Sequence, residues 1–337
     1  METQKKVLNK YEELLTKYLR DSNEQLLYKG QKLSRQSIEN EITPEEIVDI
    51  HKTVLQNLYP DIPRKVLDSF DLLLEVMTGY GLVYREHQIL KTQQQEMNVE
   101  MEIAANVQQT LLGTTIPIVN GLDIGAISVP AKQMNGDYYH FVEDESGCIS
   151  VAVADVIGKG IPAALCMSMI KYAMDSLPES RNQPSYVLEN LNRVVEQNID
   201  ITMFITMFYG IYDTYTNEFT YSSAGHEPGF FYSSKDNRFS DIDPSGMVLG
   251  VDKLNKYKEY RQKFEDNDMI ILLSDGVTES RTEKGFIERE EIVKLVQQSI
   301  HLTAQEIVEN VYKELERLQN YVLRDDFTLI ILRKLGL

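Results

Sequence analysis

The chain has 337 residues, 42% hydrophobic and 26% charged, which allows two domains with a sizeable core and excludes wholesale disorder. Its formal charge is −18, with 34 acidic against 21 basic residues in 121–337 and only 14 against 11 in 1–84. A surface this acidic repels nucleic acid and free polyphosphate unless metal ions intervene. With no apolar run near the roughly 18 residues that span a bilayer and a polar start, the expectation is a cytoplasmic protein.

Residues 1–84 read as an all-α helical-bundle domain. Val7, Leu8, Tyr11, Leu14, Leu15, Tyr18 and Leu19 recur at three- and four-residue spacing. Thr43-Pro44-Glu45-Glu46 has the chemistry of a helix start: Thr43 caps, Pro44 suits the first turn and Glu46 completes a capping box. A further apolar run, Val66 to Met77, is expected to end near Gly79 and Gly81.

From 85 to 120 the chain reads as a helical, coiled-coil-like linker. Val83, Leu90, Met97, Ala104 and Leu111 recur every seven residues, while the complementary seam holds His87, Gln94, Met101 and Gln108. A seam alternating apolar with amide groups makes either a solvated spacer or a marginal dimer that a partner could tip. We take as the expectation a homodimer formed through residues 1–84, with this linker as a further, switchable pairing.

Residues 121–337 change to short strands and turns. Strands are expected at Ile124 to Val129, Ile149 to Ala154, Thr206 to Tyr212, Glu218 to Ser222, Met269 to Leu273 and Phe327 to Leu332, and helices at 160–176, 185–198, 289–299 and 303–319. This ordering predicts an α+β fold, a layered β-sandwich flanked by helices. Cys148 and Cys166 offer neither a disulfide framework nor a zinc site and read as buried thiols.

The chemistry lies in aspartates at the ends of strand-like runs: Asp137 after Asn135-Gly136, Asp155 after Val151-Ala152-Val153-Ala154, Asp275 before Gly276, and the pair Asp325-Asp326 before Phe327-Thr328. Each alone is weak, since Asp-Gly is a turn signal anywhere. Gathered by a fold, such carboxylates repel one another and need cations; all-oxygen ligands point to Mg²⁺ or Mn²⁺. The ordered set is specific: Gly-Asp-Tyr-Tyr, Ala-Asp-Val-Ile-Gly-Lys-Gly, Ser-Asp-Gly-Val-Thr-Glu, then Asp-Asp-Phe-Thr.

On these motifs residues 115–335 resemble the metal-dependent PPM (PP2C-like) serine/threonine phosphatases, in the bacterial branch typified by SpoIIE. With its helical N-terminal domain, the whole chain is similar to stress-response phosphatases of that branch. The resemblance implies two Mn²⁺ or Mg²⁺ ions and hydrolysis without a phosphoenzyme. It makes Asp155 the residue bridging both metals, Val156 a ligand through its carbonyl, and Asp275 and Asp325 further carboxylate ligands, with Asp326 the alternative to Asp325. Asp137 stands nearby, acting directly or through water, and Asp137, Asp155 and Asp275 are the catalytic set.

The resemblance further implies a kinase-like activator (RsbT-like) on residues 1–84 and, as substrate, a phosphorylated anti-sigma-factor antagonist (RsbV-like) whose dephosphorylation switches on a stress sigma factor. Three positions depart from the family pattern. Asn135 replaces a glycine, His140 replaces a second aspartate and would either tune a metal site or be a surface histidine, and Val156 replaces a glycine. The phosphate-gripping arginine of animal relatives has no clear counterpart. Ala224-Gly225-His226-Glu227-Pro228 reads as a packing turn, and Glu279 as a loop carboxylate or a helper for a third ion. Helix 160–176, starting with Gly158-Lys159-Gly160-Ile161-Pro162 just after Asp155, is expected to be buried and to carry the activator's effect to that residue. The alternatives are a catalytically weak dimeric adaptor of the same fold and, more distantly, a nucleotidyl cyclase, for which no phosphate loop or triphosphate clamp is present.

Overall fold

The structure, a computed structural model, describes residues 2–40, 42–144, 147–158, 160–177, 182–199, 203–282 and 285–336; Lys159 lies outside them. The chain divides into two compact units, Met1–Asn98 and Val99–Leu337.

The first unit contains α1 (Glu2–Arg20), α2 (Glu24–Glu39), α3 (Pro44–Leu58) and the start of α4 (Arg64–Leu112). The expected capping box is present: the Glu46 N–H donates to Thr43 Oγ1 and the Thr43 N–H to Glu46 Oε2. Val7, Leu33, Ile42 and Val54 are buried, and Tyr11, His51 and Phe70 join α1, α3 and α4 through ring contacts. The expected helix end near Gly79 and Gly81 does not occur. α4 continues through both glycines as one 49-residue helix, because an isolated glycine costs only about 1 kcal/mol in a helix and the Gln-, Glu- and Met-rich stretch beyond favours its continuation.

The second unit is a sandwich of two antiparallel sheets with helices outside each. Its strands are β1 (Leu122–Val129), β2 (Asp137–Glu143), β3 (Cys148–Val156), β4 (Ile205–Asp213), β5 (Glu218–Ala224), β6 (Gly229–Ser233), β7 (Arg238–Ile242), β8 (Tyr260–Lys263), β9 (Met269–Leu273), β10 (Arg281–Thr282), β11 (Gly285–Phe286) and β12 (Phe327–Lys334). One sheet runs β1-β12-β9-β6-β7, the other β2-β3-β4-β5-β8, and β10-β11 form a small separate pair. The helices are α5 (Ile161–Asp175), α6 (Pro184–Asn198), α7 (Asp275–Thr278), α8 (Arg289–Gln298) and α9 (Ala304–Leu318).

Three apolar layers follow from strand alternation. Phe141, Val151, Val153, Phe208, Ile270 and Ile330 fill the space between the sheets. Ala152, Ala154, Met207 and Tyr209, on the opposite faces of their strands, meet α5 and α6. Ile271, Leu273, Leu329 and Ile331 meet α8 and α9. Strands covered on both faces read as continuous apolar runs, which is why β3, β9 and β12 were visible in sequence.

α5 is only half covered. It buries Ala163, Ala164, Cys166, Met167, Ile170 and Met174, whereas Ile161, Leu165 and Tyr172 are exposed. Cys148 and Cys166 are free thiols.

Candidate active site

Asp137 and Asp155 face each other across the β2–β3 ladder, where Asp137 pairs with Asp155 in register. Asp137 shares the inter-sheet side of its strand with Tyr139 and Phe141, which pack toward the inter-sheet core, and is itself buried. That places it against the other sheet. Its proton affinity is raised well above the ordinary carboxylate range, first by burial and then by the charge of Asp155; Asp326 adds to this, and hydrogen bonds with Ser274 and Thr328 offset it only in part. Its Oδ2 is buried without a hydrogen-bond partner among the described residues.

Asp325 and Asp326 precede β12 and differ in what holds them. Both carboxylate oxygens of Asp326 are occupied by backbone donors: the Ala131 N–H reaches Oδ1 at 2.7 Å and the Gly136 N–H reaches Oδ2 at 2.5 Å. Asp326 therefore pins the 130–136 loop to the start of β12. Asp325 is half-buried and accepts the Asp326 N–H at 3.1 Å.

Asp275 opens α7 straight after β9. Burial pushes its carboxyl up to about 6, and the neighbouring charges of Asp325, Glu279 and Glu227 push in the same direction. Gly276 has no room for a side chain, since an added Cβ would lie 2.0 Å from the Asp326 carbonyl oxygen. Here Asp-Gly marks the close approach of two backbones. Ser274 completes the junction: its hydroxyl donates to the Asp326 carbonyl at 3.2 Å and accepts the Thr328 N–H at 3.0 Å.

Gly136 stands where these segments converge. A Cβ there would sit 3.2 Å from Asp326 Oδ2, 3.5 Å from Asp155 Oδ1 and 3.5 Å from the Gly158 carbonyl oxygen. Val156, at the end of β3, is buried and donates its N–H to the Gly136 carbonyl at 3.3 Å. All six positions singled out in sequence thus fall at four strand ends: Asp137 at the start of β2, Asp155 with Val156 at the end of β3, Asp275 just after β9, and Asp325 with Asp326 just before β12. Among the described residues no three of His, Cys, Asp and Glu close tightly enough to cage an ion by themselves. An oxygen-only, partly open set with an orphaned buried carboxylate oxygen suits a hard divalent ion that keeps water in its shell.

Other residues fall outside this group. His140 is not a surface residue: it is largely buried on the helix side of β2, three positions beyond Asp137, its ring stacks on Tyr138, and its Nε2 lies 3.9 Å from Asp175 at the end of α5. The 224–228 block is a packing turn, as expected. Gly225 has φ +68, and His226 is buried with its Nδ1 3.0 Å from the hydroxyl of Thr206, the residue paired with Asp155. Burial drives the His226 imidazole down to about 4.

Glu227 is held by Arg289 at 3.0 Å, and the same guanidinium binds Asp241 and stacks on Phe230. Glu279 is exposed but contributes to the charge on Asp275. Sequence reading took Asn135 only as a departure from the family pattern and Gln108 only as a seam position, and gave neither a role at the site. The Asn135 side chain accepts the Asp137 N–H and donates to Ser128, and Gln108 of α4 grips the Asn135 backbone. The Asn-Gly-Asp turn signal could have suggested the first; the second has no local signal.

Residues 145–335 match the SpoIIE family (Stage II sporulation protein E), and residues 9–83 match the N-terminal domain of phosphoserine phosphatase RsbU. Phosphoserine phosphatase RsbU of Bacillus subtilis (strain 168) is 58% identical over 334 residues, 99% of either chain. The SiaA-PP2C domain of Pseudomonas aeruginosa superposes with a TM-score of 0.62 at 17% identity, covering 72% of this chain and 98% of that one. The PP2C phosphatase domain and regulatory fragment of SpoIIE from Bacillus subtilis does so with 0.53 at 18% identity, covering 64% of each. These two likenesses carry the fold alone, whereas the full-length match carries the family. The chain belongs to the SpoIIE family of PP2C-type phosphatases and is, along its whole length, of the RsbU type.

Proposed function

We propose that the chain is a metal-dependent phosphoserine protein phosphatase in which Asp137, Asp155, the Val156 carbonyl, Asp275 and Asp325 hold two Mn²⁺ or Mg²⁺ ions. The carrying observation is the convergence of mutually repelling carboxylates from separate segments, one with a buried oxygen that has no partner. Bound divalent ions would lower the pKa of water and neutralise phosphate oxygens. The chain's own contribution is placement. β2 and β3 fix Asp137 against Asp155, and the Gly276 approach fixes Asp275 against the 325–326 peptide. Asp326, with both oxygens engaged by amides, holds the loop and leaves coordination to Asp325.

The substrate in this reading is a serine-phosphorylated anti-sigma-factor antagonist. An RsbT-like activator binds residues 1–84, and the protein is a cytoplasmic homodimer through that region and the linker. No helix of the described residues is long and apolar enough to cross a membrane. The activator's effect reaches Asp155 through α5, which begins six positions later and exposes Ile161, Leu165 and Tyr172 for a changing contact.

The test is Mn²⁺-dependent release of phosphate from phosphorylated antagonist, with and without activator. Asp155→Asn should abolish turnover under every condition, and deletion of 1–84 should remove only the activator's effect. Activation that survives the deletion refutes the regulatory part, and full turnover by Asp155→Asn refutes the site.

A further inference from the structure

Gln108 lies near the C-terminal end of α4, inside the second compact unit, and is buried at 5% exposure. The heptad pattern puts it on a dimer seam. The structure instead turns it into the catalytic unit, where its amide makes a two-point grip on one backbone residue. Nε2 donates to the Asn135 carbonyl at 2.6 Å, and Oε1 accepts the Asn135 N–H at 3.0 Å. The Asn135 side chain extends the connection, accepting the Asp137 N–H at 3.0 Å and donating to Ser128 at 2.9 Å. Ser128 is hydrogen-bonded in turn to Thr328 at 2.9 Å.

A primary amide carries a donor and an acceptor on separate atoms of one planar group, matched to the C=O and N–H of a single peptide residue. An open cleft of about 430 Å³, lined by Gln108, Gln109, Leu112, Asn135 and Asp137, lies alongside the grip. Asn135 is joined through Gly136 to Asp137, and the Gly136 N–H is one of the two donors on Asp326.

We infer that Gln108 is a positioning residue for the metal centre: it sets the backbone of the 135–137 turn, and through it the Asp137 carboxylate and the Gly136 amide. It touches neither substrate nor metal. This rests on the metal-site reading above. It also makes the last turns of α4 a working part of the phosphatase unit, and any pairing of this helix that uses Gln108 on its seam is exclusive with the grip on Asn135.

The experiment uses the full-length protein and two variants. Gln108→Leu removes both hydrogen bonds; Gln108→Glu keeps an acceptor for the Asn135 N–H and sets a carboxylate oxygen against the Asn135 carbonyl. Mn²⁺ binding is measured by calorimetry, turnover with p-nitrophenyl phosphate at saturating Mn²⁺, and folding by thermal melting in EDTA. Outer-shell partners of metal ligands typically govern about 10- to 100-fold in affinity or activity. The expected result is Mn²⁺ binding about tenfold weaker and kcat about tenfold lower, with KM unchanged. Should Gln108→Leu fail to fold, Gln108→Glu decides. Variants that melt earlier yet bind Mn²⁺ like the parent overturn the inference. A parent that takes up no Mn²⁺ overturns the metal-site reading itself.

Discussion

Replacing Asp326 by asparagine separates the two members of the Asp325-Asp326 pair. The carboxylate accepts two backbone N–H groups, at 2.7 and 2.5 Å, in a buried setting. An asparagine of the same shape accepts one and turns its NH₂ toward the other donor. Losing a hydrogen bond to a charged group costs about 1.5–3 kcal/mol. Removing the negative charge beside Asp137 returns part of that, for a net loss of about 2 kcal/mol. In a domain of this size that corresponds to a fall in Tm of roughly 4–8 °C. Asp325→Asn has the opposite profile. It removes a charge that repels Asp275 and leaves the loop grip in place, so the metal-free protein should melt no earlier while Mn²⁺ binding weakens at least about tenfold. The assay is thermal melting in EDTA paired with Mn²⁺ calorimetry on both variants. If Asp326→Asn melts like the parent but loses Mn²⁺, and Asp325→Asn still binds it, the roles are reversed and the reasoning fails.

Gly276→Ala drives a Cβ into the Asp326 carbonyl and should destabilise by about 1–3 kcal/mol, with reduced Mn²⁺ affinity; melting and calorimetry unchanged from the parent would contradict the close approach. His226 is neutral when folded, with its pKa near 4 against 6.5 in the unfolded chain. Acidification therefore protonates the unfolded state first, and stability falls between about pH 6.5 and 4 by up to about 3 kcal/mol. Urea unfolding at pH 7 and pH 5 reads this, and His226→Gln should flatten that slope. Lys132 is exposed in the loop whose Ala131 amide holds Asp326; Lys132→Ala should raise KM for a phosphoprotein about two- to fivefold, as expected for an exposed charge, with Mn²⁺ affinity unchanged. An unaltered KM at low salt would remove it from the phosphate's path.

The strands legible in sequence have apolar layers on both faces and length enough to show them; β6, five residues between Pro228 and a turn, is buried on both faces and was missed. Met269 to Leu273 was placed at its observed limits, and β3, β4 and β12 to within two residues. β2 was missed because Asp137-Tyr138-Tyr139-His140 opens on a turn-like Asn-Gly-Asp and carries a buried carboxylate, features that a propensity reading assigns to loops. β8, Tyr-Arg-Gln-Lys, hid for a different reason: it is a polar edge strand of the kind that discourages pairing with another chain. The aspartates were legible because their motifs are ordered along the chain. What each does was not, since the distinction between Asp325 and Asp326 depends on amides contributed by Ala131 and Gly136, nearly two hundred positions away. Gln108 illustrates the same limit, its seven-residue spacing suggesting one neighbour while tertiary contact supplies another.

The β2–β3 hairpin acts as a ruler. Because Asp137 stands opposite Asp155, the separation of two reactive groups is set by interstrand spacing, about 4.5–5.5 Å between facing Cβ atoms, rather than by loop conformation. A slip of one position would leave both strands able to pair yet carry Asp137 to the far side of the sheet. The same slip would turn Tyr139 and Phe141 out of the inter-sheet core, so the packing that folds the hairpin also keeps the two carboxylates opposed.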